Sequence, residues 1–175
     1  MDSYDWVSRK FEFDLPVWMF PSTVERVRGG PARAEDIVQG LNNDLLLVQI
    51  NGEWSIQENI GHLLDLEALW AKRLDELIAG APQLTGWDGS NQATYEAEHN
   101  TNSIENILSS FRRARGALVE KLDALEDALV ERSALHPRLQ TPVRMLDLIY
   151  FVAEHDDHHF AEISRLKKVM ALLEN

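Results

Sequence analysis

Six histidines occur in 175 residues, and half of them fall in the stretch EHDDHHFAEI, residues 154–163. An α-helix turns by about 100° per residue, so residues four apart nearly align while neighbours diverge. Around this stretch an apolar stripe runs Met145, Leu148, Val152 and resumes at Ile163, Leu166, Met170 and Leu173. Carrying the three-and-four spacing across the gap lands on His155 and His159. His158 is turned toward the flank. A buried stripe interrupted by two histidines one turn apart is a candidate ligand pair.

A second helix carries a matching interruption. In WSIQENIGHLLDLEALWAKRLDELIAG the stripe Leu63, Leu66, Leu69, Trp70, Leu77 has His62 at its edge, Asn59 one turn earlier, and Arg73 near the same face. Two imidazoles on one helix and a third on another form a donor set suited to Zn, Ni, Fe or Cu. Three protein ligands leave a coordination position for water or substrate, as in catalytic sites. The alternative is three hydrogen-bonded core histidines, because spacing alone does not bring the two helices together. Metal-bound imidazoles usually donate their second N–H to a carboxylate or carbonyl. Glu58, Asn59, Asp65, Asp156, His158 and Glu162 are the candidates to support the ligands in this way, the alternative for each acid being a solvated charge. His99 and His136 fall in expected loops and are read as solvent-exposed. Trp54, Trp70, Trp87 and Tyr95 are candidates to line a pocket, with core packing the simpler role for Trp54 and Trp70.

The elements that must position these residues are helical. FEFDLPVWMFPSTVERVRGG reads as a helix interrupted or restarted near Pro21 and ending at Gly29-Gly30, and Pro31 suits the first turn of a short helix through ARAEDIVQGL. NDLLLVQI (43–50) is a helix end or an extended turn. Ser55 and Glu58 have capping-box spacing, and Gly80 and Pro82 mark that helix's stop. Residues 83–102 form a long polar connection. A third helix starts near Asn102 or Ser103 and runs through IENILSSFRRARGALVEKLDAL. ERSALHPRLQ is a loop, after which Thr141 and Pro142 suit the N-cap and first position of a long final helix. The expected fold is all-α, an antiparallel four-helix bundle with a long connection, forming one domain over 1–175 with no repeat or linker.

Composition narrows the function. Hydrophobic residues make up 45% and charged residues 26%, the formal net charge is −12, and there is no cysteine. Nucleic acid is disfavoured as a partner, since phosphate binding comes from Lys and Arg, and anionic membrane surfaces are disfavoured equally. No apolar run approaches the roughly 20 residues that span a bilayer. The opening MDSYDWVSRKFEF lacks a secretory pattern, so the cytoplasm is the expected compartment. Disulfides, thiolate ligands and a cysteine nucleophile are excluded, and any thiol chemistry needs a thiol from outside.

WSIQENIGHLLDLEALWAKRL followed, after a third helix, by FVAEHDDHHFAEISRL resembles the DinB-like family of metal-binding four-helix proteins, and the likeness extends to the opening FEFDLPVWMFPSTVERV. The family pattern, a histidine early in the second long helix and H-x-x-x-H in the fourth, maps onto His62, His155 and His159. The resemblance implies a divalent metal such as zinc or nickel on those three residues, completed by water, in a protein that is often a homodimer. It also implies activities found among relatives: mycothiol-dependent maleylpyruvate isomerase, bacillithiol or mycothiol S-transferases, and metal-dependent hydrolases. The reading that follows is an enzyme of the S-transferase type acting on a small molecule, with a low-molecular-weight thiol as cosubstrate. Water activation for hydrolysis and a non-enzymatic, metal-stabilised or metal-sensing bundle are the alternatives. No catalytic side chain is assigned, since the metal-held thiol or water would react, and the sequence shows no Arg-rich pocket motif for an anionic cosubstrate.

Overall fold

Pro31 has no N–H, so the carbonyl of Val27 loses the donor that would continue its helix. The first rod of the bundle breaks there, into α1 (Phe20–Arg28) and α2 (Gly30–Val38). The computed structural model describes residues 6–173; residues 1–5, where the reading of the N-terminus begins, and residues 174–175 lie outside the described part. A five-residue helix, α3 (Asn43–Leu47), resolves the ambiguous apolar run, with the Asn42 side chain accepting from the Leu45 N–H. The second rod starts at Ser55 with the expected capping box and also breaks, at Leu66, into α4 (Ile56–Asp65) and α5 (Glu67–Ala79). Gly80 ends it in the left-handed region at φ 74°, where glycine carries no side-chain penalty. The connection contains α6 (Gln92–Glu96). The third rod, α7 (Ile104–Asp123), is capped by Ser103. The fourth, α8 (Met145–Leu173), runs unbroken for 29 residues.

One stretch differs from expectation. ERSALHPRLQ and the following TPVR are not a loop and a helix start but a hairpin, β1 (Ser133–His136) paired antiparallel with β2 (Thr141–Arg144). Pro142 is tolerated because it faces Leu135, whose own N–H and C=O turn the other way, to Pro82 O and the Leu84 N–H, both at 3.0 Å. The helix starts three residues later than predicted, where the Asp147 carboxylate accepts from the Arg144 N–H at 3.0 Å.

The core divides into two apolar clusters along the bundle. One gathers Val24, Val27, Trp70, Leu74, Leu118, Leu148 and Val152; the other gathers Ala34, Ile56, Ile60, Leu63, Ile107, Phe111, Phe160 and Ile163. Each rod crosses from one cluster to the other through a break or a polar residue. The crossings are Gly29-Gly30, Leu66-Glu67, Arg115, and His155-Asp156. Arg115, 1% exposed, joins them: it donates to Glu67 at 2.6 Å and 2.9 Å, to Asp156 at 2.6 Å and 3.1 Å, and to the Val27 carbonyl at 2.9 Å. Its guanidinium replaces the donor that Pro31 lacks.

The connection is fastened to α4. Gln57 donates to the carbonyls of His99 (2.5 Å) and Asn102 (2.9 Å), and Ser55 donates to Asn100 (2.7 Å). His99 is buried, contrary to its expected exposure, because Gly61 leaves room for its ring and Asp65 takes its Nε2 at 2.8 Å. A Cβ at Gly61 would stand 2.2 Å from that ring, whereas at Gly116 it would meet nothing within 4 Å. Gly61→Ala is therefore expected to cost about 2–3 kcal/mol as the connection is pushed off α4, and Gly116→Ala to add about 0.5–1 kcal/mol from helix propensity. Urea denaturation of both variants checks this; equal effects would contradict the close approach.

Candidate metal centre

α4 supplies His62 and α8 supplies His155 and His159, so docking of the second rod on the fourth brings the three rings together. One nitrogen from each lies within 4.8 Å of the others, and all three residues are buried. Asn59 fixes the proton on His159. Its amide nitrogen donates to the carbonyls of Trp54 (3.3 Å) and Ser55 (2.8 Å), leaving Oδ1 to accept from His159 Nδ1 at 2.9 Å. With Nδ1 protonated, His159 Nε2 carries a lone pair, and it faces His155 Nε2 at 3.3 Å. His62 Nδ1 meets the Thr94 hydroxyl at 2.9 Å, which leaves its Nε2 for the shared centre.

Burial sets the charge state. It lowers the His62 pKa to about 4 and holds His155 and His159 well below the usual histidine value. Three neutral imidazoles, each with a nitrogen aimed at one centre, fit a divalent cation, and among the described residues no carboxylate bonds any of the three rings. His155 Nδ1 is buried and has no partner among the described residues.

The same burial gives a pH signature. His62 and His136 both have pKa values lowered to about 4, burial being the largest cause for each. In the unfolded chain they titrate near 6.5, so between that value and 4 the unfolded chain binds protons that the folded one refuses. Metal-free protein is expected to keep this stability above about pH 6.5 and lose up to about 3 kcal/mol per histidine as pH falls to 4. Denaturant midpoints at pH 7, 6, 5 and 4.5 measure it; a flat profile would contradict it.

The candidates chosen from sequence separate clearly. Of the six proposed supports, Asn59 bonds a triad ring, and His158 lies edge-on to His159 with centroids 5.0 Å apart. Glu58 completes the capping box and takes Gln49, Asp65 goes to His99 rather than to His62, Asp156 goes to Arg115, and Glu162 pairs with Arg165 at 2.9 Å. Thr94 was missed, as it lies in a short helix of the connection with no periodicity to mark it. His136 is buried rather than exposed, because alternation along β1 turns Ala134 and His136 inward.

The triad opens on a cavity of about 420 Å³. Trp54, Trp70, Trp87 and Tyr95 line it, joined by Trp6 from the N-terminal segment. Trp54 stands 4.7 Å from the His62 ring, and Trp6 stands 5.1 Å from His155. Trp54 and Trp70 thus do more than pack the core.

Comparison with known proteins bears on the fold and the family. Among solved structures, YfiT from Bacillus subtilis, described as a probable metal-dependent hydrolase with an unusual four-helix bundle topology, superposes with a TM-score of 0.81 at 19% identity over 97% of each chain. A mycothiol-dependent maleylpyruvate isomerase superposes with a TM-score of 0.64 at 13% identity, over 86% of this chain and 61% of its own. An uncharacterised protein from Clostridium difficile 630 gives 0.65 at 11% identity, over 92% of this chain and 99% of its own. No curated protein matches. These likenesses establish a shared fold, and no helix among the described residues is long and apolar enough to cross a membrane. The model of the DinB superfamily matches residues 26–163, which include both breaks, the connection and all three histidines; the chain belongs to the DinB superfamily.

Proposed function

We propose that this protein is a metal-dependent enzyme that holds a divalent zinc or nickel ion on His62, His155 and His159 and joins an external low-molecular-weight thiol to a small electrophile. The observation that carries this reading is the placement of the triad on the wall of a 420 Å³ aromatic cavity, a volume that suits a small molecule and that a purely structural ion would not need. When bound, such an ion lowers the pKa of a thiol or water that reaches it and so supplies a nucleophile at neutral pH.

The chain's own residues hold and shield. Asn59 and Thr94 orient the His159 and His62 rings. The indoles of Trp6, Trp54 and Trp70 exclude water and offer flat apolar walls to an electrophile. Among the described residues no carboxylate joins the triad, and the two acids that line the cavity, Glu53 and Glu162, both pair with Arg165. A thiol is more acidic than water before any ion acts on it, so it makes the smaller demand on that setting. Hydrolysis is the second reading, supported by the description of YfiT as a probable metal-dependent hydrolase; the thiol dependence of the isomerase supports the first. A homodimer belongs to the proposal through the family resemblance, and sedimentation measures it.

The test is purified protein loaded with zinc or nickel and given monochlorobimane with bacillithiol, mycothiol, glutathione or no thiol. Thiol-dependent turnover that disappears on metal removal is expected. Turnover of ester or amide substrates with no thiol would overturn the transferase reading in favour of hydrolysis. Metal-dependent stability with no turnover of either kind would leave a non-enzymatic bundle.

A further inference from the structure

A chain with 29 acidic and 17 basic residues gives an arginine every chance of finding a carboxylate. Arg73 has not found one. It is 2% exposed, and its one hydrogen bond among the described residues runs from Nε to the Thr85 carbonyl at 2.9 Å. Glu76, one turn along α5, is occupied by Thr85, whose N–H and hydroxyl it accepts at 2.7 Å and 2.5 Å. A guanidinium has five N–H donors in a fork matched to a carboxylate, and Arg73 lines the same cavity as the triad.

His136 is its neighbour in that cavity. The Leu139 N–H donates to His136 Nδ1 at 3.3 Å, so the proton of the neutral ring sits on Nε2. That Nε2 is buried and has no partner among the described residues. Arg138 lines the cavity too, anchored through Nη1 to the Val7 carbonyl at 2.7 Å. Trp70 lies against both this group and the triad. The Arg73 guanidinium lies 5.3 Å from the Trp70 ring, and the His155 ring lies 5.8 Å from the same indole. His136 is 5.5 Å from Phe151.

We propose that Arg73 and His136 form a carboxylate subsite, so that the molecule held in this cavity carries a carboxylate at the end away from the histidine triad. The proposal rests on the reading above only for which end reacts. Burial leaves Arg73 charged at neutral pH, its pKa lowered only to about 10, and leaves His136 a neutral donor, its pKa lowered to about 4 by burial and then by Arg73 and Arg138. The planar fork of Arg73 and the neutral His136 N–H suit the two oxygens of a carboxylate. The acids lining the cavity do not compete, since Glu53 and Glu162 are engaged by Arg165.

The test titrates 3-phenylpropionate, 3-phenylpropionamide and inorganic phosphate into zinc-loaded and metal-free protein, following the His136 Nε2–H and Trp70 indole signals by NMR. Zinc content is read on the same samples. Phenylpropionate should shift both signals with or without zinc, and the amide should bind at least ~10-fold more weakly, as loss of a charge-assisted hydrogen bond implies. Arg73→Met should weaken phenylpropionate by a similar factor, with Arg73→Lys between the two. Independently of any Arg73 variant, His136→Gln should keep binding and His136→Phe lose it. Equal binding of acid and amide, or equal binding by wild type and Arg73→Met, would overturn the subsite. So would preference for phosphate, or phenylpropionate binding that disappears with zinc and survives Arg73→Met. Wild type that binds phenylpropionate through Arg73 but takes up no zinc would instead sink the metal reading and leave the subsite standing.

Discussion

Replacing His159 with alanine is expected to reduce the zinc or nickel content of dialysed protein from about one ion per chain to background. Structural zinc sites with four ligands are worth on the order of 10 kcal/mol. Losing one of three ligands therefore removes about 3 kcal/mol, a weakening of more than ~100-fold. His62→Ala and His155→Ala should behave alike, although they remove ligands from different rods. Asn59→Ala should be milder, about 10–100-fold, because it frees the His159 ring to rotate without deleting a donor. His158→Ala should retain the metal. Thermal unfolding provides a second readout, since an ion present at ~1,000 times its dissociation constant stabilises the folded chain by about 4 kcal/mol. Wild-type protein without stoichiometric metal, or a His159→Ala variant with full content, would remove the basis of the proposed function.

The second large effect lies away from the cavity. Arg115→Met is expected to cost about 3–5 kcal/mol, the penalty for breaking a buried ion pair and stranding its partners. Glu67 and Asp156 are 4% and 1% exposed and would be left as buried carboxylates, while the Val27 carbonyl would lose its donor. Burial already raises the Glu67 pKa despite the guanidinium. Without Arg115 the stranded acids would take up protons at higher pH in the folded chain than in the unfolded one. The deficit should therefore be largest at neutral pH and shrink toward pH 4. Replacing all three residues together with apolar ones of similar volume should recover most of the loss. Urea denaturation at pH 7 and pH 4.5 checks both parts; a deficit under about 1 kcal/mol at pH 7 would show that the network is not what joins the two clusters.

The parts of this protein that repeat with helical period could be read from the sequence. Ser55 with Glu58 marked the start of the second rod, and the stripes on α4 and α8 singled out His62, His155 and His159 because an imidazole in an apolar series stands out. Charged residues do not stand out in this way. Arg115, Glu67 and Asp156 look like solvated helix faces, and only the break at Pro31 and the meeting of four rods turn them inward. The hairpin reads as a loop in the sequence because four-residue strands give period-two alternation too little length to register, and Thr141-Pro142 imitates a helix start. The burial of His99 and His136 is hidden for a related reason: what buries them is a gap at Gly61 and a strand face, neither of which has a helical period. Arg73 interrupts a stripe in the sequence, and only the fold shows that Glu76, one turn along α5, is taken by Thr85.

The fastening of the connection to α4 bears on how this site could diversify. One wall of the cavity comes from the rods and carries the histidine triad, Trp70 and Phe151, with Trp54 just ahead of the second rod. Another wall comes from the connection, through Trp87, Asn91 and Tyr95, between an edge held by Gln57, Ser55 and Gly61 and an edge where Leu84 enters the core and Thr85 bonds Glu76 and Arg73. Mutations on that second wall can reshape what enters without disturbing the packing that keeps the triad together, Thr94 being the one position there tied to a ring. The architecture separates the reactive centre from one adaptable face of the cavity, and a library randomised at Trp87, Asn91 and Tyr95 would exploit that separation directly.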